Sequence, residues 1–427
     1  MPKVLIIAYY WPPAGGPGVQ RWLSFTRYLP EFEIEPVMFI PENPNYPIID
    51  ESLLAYIPQN LVCYRQKIKE PYFLARLLIG KKAKMISAGI IKERSATVLE
   101  RALIWIRGNW FIPDARKYWV SPSVKRILKI IKEENIRTII TTGPPHSVHL
   151  IGLGIKKQEN IKWIADFRDP WTSIGYHKKL RLSKRAKKKH KDLEKEVLQG
   201  ADKIITTSRT TLEEFAAISS KPIVVVTNGY DEKEAESQPQ LDDEFSLSFI
   251  GSLLSGRNPE NLWKALSELA EENPEFRAKL RIRIVGVISE DVLSTIYRHG
   301  LKEFTELVPY VAHNEARRYQ MKSQLLLLLE IDKQETKGII PGKLFEYMAA
   351  KRPILAIGPK NWEAGMMVEE TNSGVFFEYK EFDGLKVQLR DWHKQYTAGS
   401  LVECTSSIEQ YSRRSLTEKL AAEFTWE

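Results

Sequence analysis

Residues 4–29 read VLIIAYYWPPAGGPGVQRWLSFTRYL. An apolar run over 4–10 gives way to a Pro/Gly loop. Trp22, Leu23, Thr26 and Leu29 then recur at helical spacing and predict a helix over 19–29. Strand, glycine turn and helix in that order open a βα unit. Gly15 and Gly16 permit tight turning and close backbone approach, and the helix N-terminus behind them offers free N–H groups to a phosphate. The loop is neither GxGxxG nor a Walker A loop, since no Gly-Lys-Ser/Thr follows. Its place after the first strand favours phosphate binding over an ordinary turn.

The pattern repeats outward. Further apolar runs at 36–40, 138–142, 163–167, 203–208 and 223–227 read as strands covered on both faces, and 123–134 as a helix. Residues 230–244 are polar and acidic and read as a linker. The alternation restarts at 247–251, 280–286, 306–311, 324–330, 353–358 and 375–379. Two successive βα arrays predict an α/β protein of two doubly wound domains, over 1–229 and 230–400, with 401–427 as a helical tail and 69–119 as a helical insertion rich in aromatic and basic residues.

The chain has 427 residues, which accommodates two domains. Its net charge of +9 favours an anionic partner. Cys63 and Cys404 are far apart and suggest no metal pair, so a reducing, cytoplasmic setting is the simpler expectation. No signal peptide is evident at the start, and no run of roughly 18 apolar residues predicts a spanning helix.

Several clusters stand at predicted strand ends, where open α/β sheets bind ligands. His146, in Thr-Thr-Gly-Pro-Pro-His, is a candidate for contact with a sugar or phosphate, although a lone loop histidine is more often structural. Asp166-Phe167-Arg168-Asp169-Pro170-Trp171 puts three charges in one loop, either as an Arg–Asp pair fixing the loop or as an Arg facing a ligand. Gly251 opens the second array, and Arg257 has the planar fork that suits a diphosphate. The most informative stretch is GIIPGKLFEYMAAKRP, 338–353. Lys343 lies in the first turn of its predicted helix, which the macrodipole disfavours unless an anion is bound. Glu346 either pairs with Lys343 at i,i+3 or takes ribose hydroxyls. The basic run 178–195 reads as a helix charged nearly all round, with anionic lipid the functional alternative to a solvated face. No recognised motif accompanies the charge, so nucleic acid is not expected.

These segments together resemble glycosyltransferase family 4. Gly15-Gly16 resembles the family's N-terminal glycine loop, Thr227-Asn228-Gly229-Tyr230-Asp231 its P-N-G-V-D segment, 251–257 its G-R…K-G loop and 343–353 its E-x-M-A-x-G-x-P segment. The resemblance implies the GT-B fold, two Rossmann-like domains with an interdomain cleft, and a retaining transfer from a nucleoside-diphosphate sugar. It places the donor on Gly251, Arg257, Lys343 and Glu346 with help from Gly15 and Gly16, and makes His146, Arg168 and Asp169 the catalytic, acceptor-side group.

Three departures stand out. Gly338 holds the position of the first family Glu, Ser252 that of an Arg, and Arg168 that of a His, so that Arg-Asp-x-Trp replaces His-Asp. Arg413 falls in a tail helix that in such folds returns to the first domain. No Asp-x-Asp suited to Mg²⁺ stands at a strand end, so neither metal nor other cofactor is expected. The implied acceptor is a glycan or lipid-linked glycan of a cell-surface or exopolysaccharide pathway, and the expected setting is cytoplasmic, extending to the inner face of the membrane. The alternatives are a nucleotide-sugar 2-epimerase of the same architecture, which the paucity of histidine disfavours, and a non-catalytic donor-binding scaffold, which Gly338 favours.

Overall fold

The computed structural model describes residues 1–70, 98–231, 239–401 and 408–424. The chain divides into two compact units, Met1–Asn228 with Arg413–Glu427, and Gly229–Ser412.

The first unit holds a parallel seven-stranded sheet in the order β3-β2-β1-β4-β5-β6-β7. Its strands are β1 Lys3–Ala8, β2 Glu35–Pro41, β3 Val62–Gln66, β4 Thr138–Gly143, β5 Lys162–Phe167, β6 Lys203–Thr206 and β7 Ile223–Val225. The register runs Leu5 to Val37 on one side of β1 and Leu5 to Ile139 on the other. The central strands are buried on both faces, which is why they read as unbroken apolar runs. The edge strand β3, VCYRQ, is half exposed and carries no such run, and the sequence reading passed over it.

The Pro17–Tyr28 helix follows β1, with Pro at its start and no acidic residue in its first turn. Its inward residues include Trp22, Phe25 and also Arg21. The C-terminal helix Arg413–Ala422 belongs to this unit. Leu416 and Leu420 join the core around β1, and Arg413 donates to Ser24 Oγ and Gln20 Oε1 at 3.1 Å each.

The second unit repeats the plan with six parallel strands in the order β10-β9-β8-β11-β12-β13. These are β8 Phe245–Leu253, β9 Leu280–Ile288, β10 Thr305–Val308, β11 Leu325–Leu329, β12 Ile354–Gly358 and β13 Gly374–Glu378. In both sheets the strand order reverses beside the unit's first strand, at β1/β4 and at β8/β11, the doubly wound arrangement that leaves a crevice at the strands' carboxyl ends.

The insertion expected over 69–119 falls mostly on 71–97, outside the described residues, as does Cys404. Its described part is the Val98–Trp110 helix and the start of the Lys117–Glu133 helix. The basic run corrects one expectation. Lys184–Gly200 is helical, capped by Ser183, but it is not charged all round: Ala186, His190, Glu194, Val197 and Leu198 form a buried face.

Candidate functional site

In the first unit the crevice at β1/β4 is framed by the glycine loop and by the segments leaving β4 and β5. Gly16 caps the Pro17–Tyr28 helix with φ 111°, a left-handed conformation that glycine adopts without steric cost. Gly15 donates its N–H to Ile48 O at 3.1 Å. Arg168, just past β5, folds back across this ground. Its Nη2 donates to Pro144 O at 2.6 Å and its Nε to Gly143 O at 3.3 Å. The same guanidinium lies against Gly18.

Asp166 does not pair with Arg168. It is fully buried and accepts from Arg21 Nη2 at 3.2 Å, Trp22 Nε1 at 2.9 Å and Thr142 Oγ1 at 2.8 Å. Arg21 also donates to Thr227 O. This buried ion pair ties the first helix to β4 and β5. The sequence reading missed Arg21 because a basic residue on an amphipathic helix is ordinarily solvated. Asp169, next to Arg168, makes no ion pair or side-chain hydrogen bond among the described residues, and burial pushes its carboxyl up against the opposing pull of Arg168.

His146 lies within the core, only 5% exposed, in an aromatic stack. Its ring is parallel to Trp171 with centroids 4.9 Å apart, and His149 stacks on Phe167 at 4.1 Å. His177 meets His190 edge-on at 4.6 Å, and Trp171 Nε1 donates to His190 Nδ1 at 3.1 Å. Neither ring nitrogen of His146 has a protein partner. Burial holds His146 well below the usual range, His149 at about 3 and His177 at about 4. Glu194, on the buried face of the basic helix, accepts from Thr172 N at 2.9 Å and Thr172 Oγ1 at 2.6 Å, so that helix anchors the Arg-Asp-x-Trp loop.

In the second unit β8 pairs with β11 only at Leu247 and Ser248, while it follows β9 from Phe245 to Leu253. Past Ser248 the backbone of β8 leaves β11, and side chains of the Lys343–Ala349 helix satisfy the groups set free. Ile250 N donates to Tyr347 Oη at 3.1 Å, and Lys343 Nζ donates to Ile250 O at 3.4 Å. Lys343 Nζ sits 3.6 Å from the centroid of Phe249, over its face. Burial, reinforced by the charge of Arg257, lowers the Lys343 ammonium to about 7. Gly251, with φ 128°, leaves a hypothetical Cβ 3.9 Å from that nitrogen.

Arg257 donates through Nη2 to both carboxylate oxygens of Glu330, at 3.1 and 3.2 Å. In the sequence Glu330 only ends the run LLLLLE, and nothing there marks it apart. The i,i+3 pairing of Lys343 with Glu346 is not formed. Glu346 Oε2 accepts instead from Gln320 Nε2 at 2.8 Å. Gly251, Arg257 and Lys343 are therefore gathered at the β8/β11 crevice, with the charge of Glu346 felt at Lys343. Among the described residues, no group of three or more His, Cys, Asp or Glu side chains is disposed to hold a metal ion.

Two parallel doubly wound units with glycine loops after their first strands define the GT-B class of fold. Solved structures agree over nearly the whole chain. Sucrose-phosphate synthase from Thermosynechococcus elongatus matches with TM-score 0.60 at 13% identity, over 99% of this chain and 98% of that one. Anabaena HepE, solved with UDP-glucose, matches with TM-score 0.60 at 12% identity, again over 99% and 98%. A putative UDP-N-acetylglucosamine 2-epimerase from Listeria monocytogenes matches with TM-score 0.54 at 13% identity, over 98% and 95%. Residues 89–234 match the model of Glycosyltransferase Family 4. No curated protein sequence matches significantly. The comparisons thus give similarity to Glycosyltransferase Family 4 over residues 89–234 and the GT-B architecture over nearly the whole chain.

Proposed function

We propose that the protein is a retaining, metal-independent glycosyltransferase that uses a nucleoside-diphosphate sugar. One observation carries the reading: the crevice beside β8 and β11 gathers Arg257 and Lys343, two cations suited to a diphosphate, around the glycine turn at Gly251. Glu346 takes the ribose hydroxyls. As the bond between the sugar's anomeric carbon and the diphosphate oxygen breaks, charge grows on the leaving group. Preorganised donors at Arg257 and Lys343 stabilise that charge. In the first unit, the Gly15-Gly16 loop contributes N–H groups, and Arg168 and Asp169 receive the acceptor hydroxyl, with His146 packed behind Trp171 to support that loop.

The acceptor is a glycan or lipid-linked glycan of cell-surface or exopolysaccharide synthesis. An anionic membrane surface is its setting. Trp110 and Tyr118 are 66% and 56% exposed, and Lys187, Lys189 and Lys191 on the basic helix are exposed and form no ion pair among the described residues. Among the described residues no helix is long and apolar enough to cross a membrane.

A thermal-shift screen across nucleoside diphosphates and their sugars identifies the donor, because a ligand of the native state raises stability with concentration. Removing either cation, by Arg257→Ala or Lys343→Ala, should cost about 2.7–4 kcal/mol of transition-state stabilisation. Unchanged turnover in both would overturn the assignment. Incubating the donor without acceptor separates the epimerase reading, since an epimerase still alters the sugar. Donor binding with no transfer to any acceptor would mark a scaffold.

A further inference from the structure

The loops after the two strands flanking the second crevice are joined by a half-buried ion pair between Arg257 and Glu330. Glu330 is the residue after β11 and is fully buried. Arg257 lies in the loop after β8, and its backbone N–H donates to Leu254 O at 2.8 Å. A buried carboxylate gives little net stability over an apolar residue of its size, because its desolvation offsets the attraction. Here the carboxylate is fixed by two neighbours, and the backbone carbonyl of the same residue by a third. Its Oε1 accepts from Ile331 N at 2.7 Å and both oxygens accept from Arg257, while Tyr379 Oη donates to Glu330 O at 2.8 Å. Asn261 in turn donates to Tyr379 O at 2.9 Å. Among the described residues the guanidinium bonds through Nη2 alone; Nε is buried without a partner, and the side chain keeps 29% of its surface exposed.

We propose that Glu330 is a positioning residue for the donor, holding Arg257 through Nη2 so that Nη1 is presented to the diphosphate. This rests on the donor-binding reading of the same crevice. A guanidinium on a flexible stem loses rotamer freedom when it binds, and fixing it beforehand removes that cost from binding. Glu330 also balances the Arg257 charge in the free protein. It supports the charged form of the Lys343 ammonium, which burial and Arg257 oppose.

The test uses the full chain and UDP as probe, read by calorimetry between pH 6 and 9. Glu330→Gln keeps the shape and removes the charge. The expected result is an intact fold, a UDP Kd raised about tenfold, as for one lost charge-assisted contact, and a pH midpoint of binding moved downward. At pH 6, where Lys343 is already largely charged, combining it with Arg257→Ala should weaken UDP binding no further than Arg257→Ala does alone. If Glu330→Gln does not fold, Glu330→Asp keeps the charge on a shorter arm and should raise Kd by a smaller factor. A folded Glu330 variant with parental Kd and pH midpoint overturns the positioning role and leaves the donor assignment standing. A parent protein that binds no nucleoside diphosphate overturns both.

Discussion

The Arg168 guanidinium occupies the space a side chain at Gly18 would need: a Cβ built on Gly18 would lie 1.2 Å from Arg168 Nη1. The glycine is set by its neighbour across the crevice, since its own backbone does not call for one. Gly18→Ala should push the arginine out of place and leave the helix intact, because the far end of a long side chain yields easily. The expected outcome is a thermal midpoint within a few degrees of the parent and a large fall in transfer rate. Steady-state kinetics beside a melting curve checks both.

Asp166 holds three partners in the core of the first unit. Asp166→Ala would leave Arg21 charged and buried with its main counter-ion gone. The expected loss is about 3–5 kcal/mol of stability. Urea unfolding should show a lower midpoint without a matching change in slope, and Lys188→Ala, on an exposed pair, should move it little.

Lys343 gives a pH signature with two opposite limbs. Its folded-state value, about 7, lies below its ordinary 10.5. Between those values the unfolded chain binds the extra proton, so the free protein gains stability as pH rises. A diphosphate prefers the ammonium form, so nucleotide affinity should fall over the same range. Melting curves and calorimetry from pH 6.5 to 9 should show the two trends crossing, and Lys343→Met should flatten both.

The histidine stack predicts acid sensitivity. His146, His149, His177 and His190 all lie below their ordinary 6.5 through burial. Arg168, Lys187 and Lys189 reinforce this, and Asp114 opposes it at His190. Below pH 6.5 the unfolded chain takes up protons first, so stability is lost as pH falls toward 4. Each histidine should contribute about 1.4 kcal/mol per pH unit within its window. His146→Phe, which preserves the packing on Trp171, should give a shallower decline in the urea midpoint.

Charge reversal at Lys187, Lys189 and Lys191 should abolish flotation with phosphatidylglycerol vesicles at low salt, while transfer to a soluble acceptor persists. Parental protein that floats equally well with neutral vesicles, or does not float at all, would refute the electrostatic docking.

Two α/β arrays were legible because buried parallel strands leave unbroken apolar runs, of which Leu325–Leu329 is the extreme case. β3 was not, since VCYRQ is half exposed and leaves no such run. At the site, the residue types and their strand-end positions could be read, but their partners could not. Asp166 finds Arg21 across 145 residues, and Arg257 finds Glu330 across 73. Periodicity reports which face of an element is buried. It carries no record of a single polar side chain meeting another from a distant element, nor of a glycine kept small by an arginine.

The helix Arg413–Ala422 packs on a unit whose other residues end at Asn228. On the ribosome, the whole of Gly229–Ser412 must therefore emerge before Leu416 and Leu420 can cover the apolar surface awaiting them. The second unit can fold early, while the first stays unfinished until that helix is translated. The nascent chain thus carries this apolar surface uncovered for as long as Gly229–Ser412 takes to be made.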